Sequence, residues 1–118
     1  MKLKGDKMLN YKDKNYFCQL DLGLEFIRGK WKALIICHLK EEPVRFLELQ
    51  RRIHGITQKI LNEQLKALEE EKIVERIVYP EVPPRVEYKL TEKGLALLPA
   101  LEMIEKWAEK YLESCSIE

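Results

Sequence analysis

The chain of 118 residues contains few of the side chains from which metal sites, disulfide frameworks and phosphate-binding loops are built. It has three cysteines, two histidines and five glycines, and no Cys-x-x-Cys pair. An odd number of widely spaced cysteines argues against a disulfide framework, and His38 and His54 lack the spacing of a zinc-binding pair. The sequence has no Gly-x-Gly-x-x-Gly, Walker A, Gly-x-Ser-x-Gly or His-Glu-x-x-His motif. We therefore expect no catalytic residue, no metal site and no cofactor.

Long apolar segments are also missing. The longest run of hydrophobic side chains is 33–37, far shorter than the ~20 residues that a membrane-spanning helix needs. The first residues carry no apolar stretch like that of a signal peptide. We therefore expect a cytoplasmic protein with no membrane partner. At 46% hydrophobic and 35% charged residues, the chain has enough apolar side chains for one folded domain.

Hydrophobic periodicity predicts a mainly α protein with one small β-hairpin. The helices are predicted over 19–28, 31–41, 46–53, about 57–71 and about 91–114. β-branched and alternating apolar residues predict two strands within 73–90, on either side of a proline-rich loop. The Lys-rich residues 1–16 are expected to form a partly disordered tail, and residues 17–118 a single domain.

The middle of the chain has the element order of a winged helix-turn-helix. Two short helices are joined by the Gly-containing turn 54–56, and the hairpin follows at once. In such a unit the second helix, the recognition helix, enters the major groove of DNA, and the hairpin forms the wing. Polar side chains near the N-terminus of that helix are expected to read the bases, and these are Gln58, Lys59 and Asn62.

Four further basic residues are expected to contact the phosphates or the minor groove. Lys66 lies on the recognition helix, Arg51 and Arg52 end the preceding helix, and Arg85 belongs to the wing. A polar outer face is also what any solvated helix shows. A helix-turn-helix that binds only other proteins therefore remains an alternative at this point.

Three strings of residues carry a family resemblance. They are Gly29-Lys30-Trp31, Gly55-Ile56-Thr57-Gln58-Lys59, and Tyr79-Pro80-Glu81-Val82-Pro83-Pro84-Arg85. With them, residues 18–111 resemble the HxlR-type transcriptional regulators, which are relatives of the MarR winged-helix proteins. The resemblance implies a homodimeric DNA-binding regulator that dimerises through N- and C-terminal helices.

A dimer of this kind would present two recognition helices to successive major grooves, so we expect a pseudo-palindromic operator in double-stranded DNA. The last helix independently carries apolar residues at intervals of four and three, the 3.5-residue period of a helix packed along another helix. We assign these residues to the dimer interface: Leu97, Leu101, Ile104, Ala108 and Tyr111.

Cys18 is a candidate redox sensor. Relatives that sense oxidants or electrophiles carry a cysteine followed by proline and a β-branched residue, and here the same position reads Cys18-Gln19-Leu20. A thiol near a helix N-terminus can have a lowered pKa and react faster, whereas a buried cysteine behaves as a small apolar residue. The effector is unknown, and a regulator that responds to a small apolar ligand is a further alternative. Lys72 departs from the glycine that relatives often have after the recognition helix.

The net charge of +1 conceals an uneven distribution. Residues 45–66 carry five basic and two acidic side chains, whereas residues 102–118 carry two basic and five acidic ones. The first 14 residues add five lysines and two aspartates. This distribution agrees with DNA on one side of the domain and a partner subunit on the other, and DNA binding would associate the protein with the nucleoid.

Overall fold

The computed structural model describes residues 8–112. The elements are β1 Leu9–Tyr11, β2 Lys14–Tyr16, α1 Gln19–Glu25, α2 Lys32–His38, β3 Val44–Arg45, α3 Phe46–Arg52, α4 Gln58–Glu70, β4 Val74–Tyr79, β5 Arg85–Leu90 and α5 Glu92–Leu112. The mainly α winged helix-turn-helix fold is confirmed, with five helices and a small antiparallel sheet. Residues 1–7 of the tail expected over 1–16 lie outside the described residues. So does the end of the last helix, which is expected near residue 114.

The wing is part of a three-stranded antiparallel sheet with the order β3-β5-β4. β4 and β5 pair along their whole length, from Val74 opposite Leu90 to Tyr79 opposite Arg85. β3 was not predicted. It consists of two residues after Pro43, too few for a period-two pattern, and it exists because it pairs with β5.

Residues 9–16 differ from the expected tail because they form an antiparallel hairpin of β1 and β2. Lys12 and Asp13 lie between the strands with positive φ angles of 50° and 65°, the conformation of a type I′ turn. The hairpin is attached to the domain: Tyr16 is buried, and the Tyr11 hydroxyl donates to Glu71 Oε1 at 2.9 Å. The hairpin could not be predicted because the turn residues Lys12-Asp13 are not the Asn-Gly or Asp-Gly pair that marks such turns, and three-residue strands are too short for a clear period.

The core packs α2, α3 and α4 against the sheet and the first half of α5. Its central side chains have at most 1% of their surface exposed: Ile35, Ile36, Leu49, Leu61, Leu65, Leu68 and Ile73. Within residues 8–112 no buried polar or charged residue interrupts this cluster. Nor does this part of the chain hold a helix of the length and apolarity required to span a bilayer.

Gly94 is the point where α5 crosses the end of the recognition helix. Thr91 caps α5, because its hydroxyl oxygen accepts the Gly94 N–H at 3.1 Å. The Thr91 N–H in turn donates to the Ile73 carbonyl at 3.0 Å. A Cβ at position 94 would overlap that same carbonyl oxygen. The glycine is therefore required by backbone packing, although it weakens the helix locally.

We predict that Gly94→Ala lowers the free energy of unfolding by about 1–3 kcal/mol, since the methyl group forces a buried backbone to move. Denaturant titration followed by circular dichroism measures this loss. The matched control is Gly23→Ala in α1, where no atom lies within 4 Å of the new Cβ. That variant should instead gain about 0.5–1 kcal/mol. Equal effects of the two substitutions would contradict the packing role of Gly94.

Candidate nucleic-acid interface

The turn between α3 and α4 fixes the direction of the recognition helix. Gly55 has a φ of 87°, which glycine adopts without strain, and the following Ile56 is buried. Gln50 Nε2 donates to the Ile56 carbonyl at 3.4 Å and so binds the turn to α3. The Thr57 hydroxyl oxygen accepts the Ile60 N–H at 3.1 Å, so Thr57 is the N-cap of α4. The first turn of α4 is thus held by contacts on both sides.

The two faces of α4 differ completely in burial. Leu61, Leu65 and Leu68 are buried in the core. The four predicted contact residues of this helix are all exposed: Gln58, Lys59, Asn62 and Lys66. Within residues 8–112 none of these four makes a hydrogen bond or an ion pair. They can therefore bind an external partner without first breaking an internal interaction.

Arg51 and Arg52 at the end of α3 share one acidic partner. Arg52 Nε donates to Glu48 Oε2 at 2.9 Å, and Arg51 Nη2 contacts the other oxygen of the same carboxylate. Arg51 remains 77% exposed, so its guanidinium still faces solvent. The cluster carries one net positive charge rather than two, which weakens its attraction for phosphate.

Arg85 is placed differently from the sequence expectation. Its guanidinium lies 3.0 Å from a Glu81 carboxylate oxygen and 3.5 Å from one of Glu87, and it stacks on the Tyr79 ring at 3.8 Å. Only 30% of the side chain is exposed. Two carboxylates and an aromatic ring therefore hold Arg85 inside the wing, where it joins the two strands and the loop between them. These interactions reduce the availability of the Arg85 guanidinium for the phosphate or minor-groove contact expected from the sequence.

Arg76 on β4 is a free cation of the wing that the sequence analysis missed. Its side chain is exposed and has no hydrogen-bond or ion-pair partner among residues 8–112. By contrast, Lys89 on β5 lies 3.9 Å from Glu75. The sequence alone does not show which of Arg76 and Arg85 is paired, because this depends on which carboxylates lie near each side chain in the folded protein.

The apolar stripe of α5 is divided between two roles. Leu101 is buried and Leu97 is packed against the core of the same protomer. Further along the helix Ile104, Ala108 and Tyr111 are exposed. Three other large apolar side chains of this half of α5 are also exposed, namely Met103 and Trp107 at 64% each and Leu112 at 51%. Of the five predicted interface residues, two therefore pack on the protomer core and three are exposed.

Cys18 is the N-cap residue of α1 and only 6% exposed. Its side chain makes no capping hydrogen bond, while the Asp21 carboxylate accepts the Phe17 N–H at 2.8 Å. Burial raises the pKa of the Cys37 thiol, and the charge of Glu105 raises it further. Cys115 lies outside the described residues. Among residues 8–112 no group of three His, Cys, Asp or Glu side chains could hold a metal ion.

Comparison with known proteins now decides the family. Residues 26–116 match the family model described as HxlR-like helix-turn-helix. The chain belongs to this family. An HTH-type transcriptional regulator of Methanothermobacter thermautotrophicus is 46% identical to it over 99 residues, which cover 84% of this chain and 76% of that protein. The HxlR-like chain is therefore a transcriptional regulator of the helix-turn-helix type and not an enzyme.

Solved structures support the same assignment. The regulator YtcD of Bacillus subtilis is 43% identical over 99 residues, covering 84% of this chain and 79% of that protein. A crystal structure of ytcD aligns with a TM-score of 0.78 at 42% identity, covering 81% of this chain and 98% of that chain. The redox regulator HypR in its oxidised form aligns with a TM-score of 0.75 at 42% identity, covering 79% and 96% of the two chains.

Lys72 ends the recognition helix of this HxlR-like chain in a left-handed conformation. The residue has a φ of 63° although its side chain is not glycine. Its N–H donates to the Glu69 carbonyl at 3.0 Å, and the Ile73 N–H donates to the Leu68 carbonyl at 2.9 Å. These two bonds form a Schellman motif that ends the recognition helix. The helix therefore ends with the geometry that glycine favours, at the cost of a strained lysine.

We predict that Lys72→Gly stabilises the protein by about 0.5–1 kcal/mol, because the relief of left-handed strain exceeds the added flexibility of glycine in the unfolded chain. Thermal unfolding should show a midpoint a few degrees higher. Glu63→Gly, at an exposed position inside α4, is the control and should lose about 1 kcal/mol. A lower midpoint of thermal unfolding for Lys72→Gly than for the wild type would contradict the inference that Lys72 is strained.

Proposed function

We propose that the protein is a homodimeric, sequence-specific DNA-binding regulator whose α4 enters the major groove. The observation that carries the proposal is the free polar face of α4, held in place by a fully buried apolar face. Gln58, Lys59 and Asn62 supply the base contacts, since amide and ammonium groups pair with the donors and acceptors of base edges in that groove. Bound to its operator, the protein is associated with the nucleoid.

Phosphate contacts come from Lys66, Arg51 and Arg52, with Arg76 added on the wing. Arg85 has a different role in this proposal, because its ion pairs with Glu81 and Glu87 stabilise the wing. Binding then depends on a few free cations, and affinity falls steeply as salt concentration rises. Two recognition helices about one turn of DNA apart match a pseudo-palindromic site of about 10 bp spacing.

The double variant Lys59→Ala and Asn62→Ala is expected to weaken operator binding by at least about tenfold, because each base contact contributes about 1–3 kcal/mol. A mobility-shift titration on an operator taken from upstream of the protein's own gene measures the change. Lys110→Ala removes one positive charge from the exposed last turn of α5 and serves as the control. Unchanged affinity in the double variant would remove α4 from the DNA interface.

Dimerisation is supported by the uncovered apolar face of α5. Met103, Ile104 and Trp107 are each more than half exposed, and on α1 Leu20 and Leu24 are exposed as well. An apolar surface of this extent on a small domain is typical of a subunit interface. The last 17 residues carry more acidic than basic side chains, so they would repel DNA phosphates. This end of the chain would therefore not compete with the basic residues of α3, α4 and the wing for DNA.

Sedimentation velocity at micromolar concentration should show a species of twice 14.0 kDa. Ile104→Glu combined with Trp107→Glu should give the monomer, because two carboxylates would be buried without partners in the interface. Leu95→Glu is the control, since position 95 is exposed on the side of α5 opposite to Ile104 by its 100° per residue. A wild-type protein that sediments only as a monomer would exclude the dimer.

A response to thiol oxidants through Cys18 is the second function that we propose. It is supported by the similarity to the redox regulator HypR and by the position of Cys18 before α1. The thiol is buried in the protomer, so an oxidant reaches it when α1, a helix of seven residues, opens locally. This requirement makes the response slower than that of an exposed thiolate.

Diamide treatment should therefore lower operator affinity in the wild type and leave Cys18→Ser unaffected. Cys37→Ser is the matched control and should respond as the wild type does, because burial raises the pKa of that thiol and keeps it protonated. Mobility shift before and after reduction with dithiothreitol gives the readout. Identical responses of Cys18→Ser and the wild type would eliminate Cys18 as the sensor.

A further inference from the structure

Glu48 is the acidic residue of α3, and its carboxylate is shared by two arginines. Arg52 Nε donates to Glu48 Oε2 at 2.9 Å, and Arg51 Nη2 contacts Oε1. The arginines follow Glu48 by three and four positions, so they reach the carboxylate from neighbouring sites on the same helix surface. Within residues 8–112 neither arginine pairs with any other acidic side chain. One carboxylate therefore holds both of these cations.

This cluster lies at the surface beside the start of the recognition helix. Gln50, in the same part of α3, donates from Nε2 to the Ile56 carbonyl at 3.4 Å and so binds the end of α3 to the turn before α4. Leu49 is buried in the core, whereas Arg51 and Arg52 are 77% and 35% exposed. DNA bound along α4 would therefore bring its phosphates near the two guanidinium groups.

The lysines of α4 differ from these arginines because they have no acidic partner. Lys59 and Lys66 are exposed and form no ion pair in the described part of the chain. They can bind a phosphate directly, whereas each arginine must first exchange the Glu48 carboxylate for it. A guanidinium binds carboxylate and phosphate with the same fork of donors, and a partly exposed ion pair is weak. Phosphate can therefore displace Glu48, but at a cost in affinity.

We infer that Glu48 limits the affinity of the protein for DNA by competing with phosphate for Arg51 and Arg52. This role rests on the proposed DNA-binding function, since it concerns the phosphate contacts of the same surface. Glu48 need not touch DNA, because it acts through the two arginines. Phosphate contacts carry no sequence information. A residue that weakens them reduces binding to unrelated DNA and leaves the base contacts of α4 to decide where the protein binds.

The test compares the wild type with Glu48→Gln, which replaces the carboxylate by a neutral amide of similar size. Binding to a short fluorescent DNA duplex of arbitrary sequence is measured by anisotropy over a series of salt concentrations. Glu48→Gln should bind several-fold more tightly. Its plot of log affinity against log salt should be steeper by about one to two units, because each added phosphate contact contributes about 0.9. A merely structural role of Glu48 would not change this slope.

Glu92→Gln is the matched control. Glu92 also lies in the first turn of a helix, is exposed, and has no ion-pair partner among residues 8–112. Its substitution removes the same charge from an equivalent helix position and should leave both affinity and slope unchanged. Circular dichroism verifies that each variant keeps its helices.

A second comparison introduces Glu48→Gln into a protein that already carries Arg51→Ala and Arg52→Ala. The gain in affinity should disappear there, because the carboxylate no longer has a guanidinium to hold. A gain of the same size in this background would overturn the inference, since Glu48 would then only repel phosphate from a distance.

Unchanged or weaker binding by Glu48→Gln would also overturn the inference, and weaker binding would show that Glu48 presents the arginines to DNA. In these outcomes the wild type still binds DNA, so the proposed function stands. A wild type that binds no duplex, including one taken from upstream of its own gene, would overturn the proposed function together with the role of Glu48.

Discussion

The burial of one face of α4 is the interaction on which the rest of the structure depends. Leu61, Leu65 and Leu68 are fully enclosed, and each contributes about 1.5–3 kcal/mol relative to an exposed side chain. Their spacing of four and three residues follows the turn of the helix, so burying them leaves only one face outward. Which residues face outward, such as Lys59 and Asn62, is therefore set by the leucines rather than by any contact of their own.

A buried face fixes the rotation of a helix but not its position along its axis, and here the two ends of α4 supply that constraint. Thr57 caps the first turn, while the left-handed Lys72 ends the last one. The next residue, Ile73, starts the wing, and its carbonyl accepts the Thr91 N–H that begins α5. Glu71 adds the contact with the N-terminal hairpin. Wing, last helix and hairpin thus all join the recognition helix within residues 71–73, and together they fix the position of its C-terminal end.

The helices, the wing and the polar face of α4 could be predicted because each follows from a local period in the sequence. What could not be predicted depends on which distant groups meet. Neither spacing nor composition reveals that Glu81 and Glu87 lie against the Arg85 guanidinium. The α5 stripe predicted one packed surface, yet Leu101 packs within the protomer whereas Ile104 does not. A hydrophobic period indicates that a residue will be buried. It does not indicate whether the residue packs against its own chain or against a partner subunit.

Which basic side chains lack carboxylate partners decides what positive charge a nearly neutral protein could present to DNA. Arg51, Arg52 and Arg85 all have carboxylate partners, which suits the planar guanidinium that binds carboxylates with two parallel hydrogen bonds. Lys59 and Lys66 have none among the described residues. Because exposed charges are screened beyond about 8–10 Å, net charge matters less than the charge within that distance of the groove. On the outward face of α4 these charges include the unpaired Lys59 and Lys66 beside Glu63, and they would act on bound DNA more strongly than the distant acidic end of the chain.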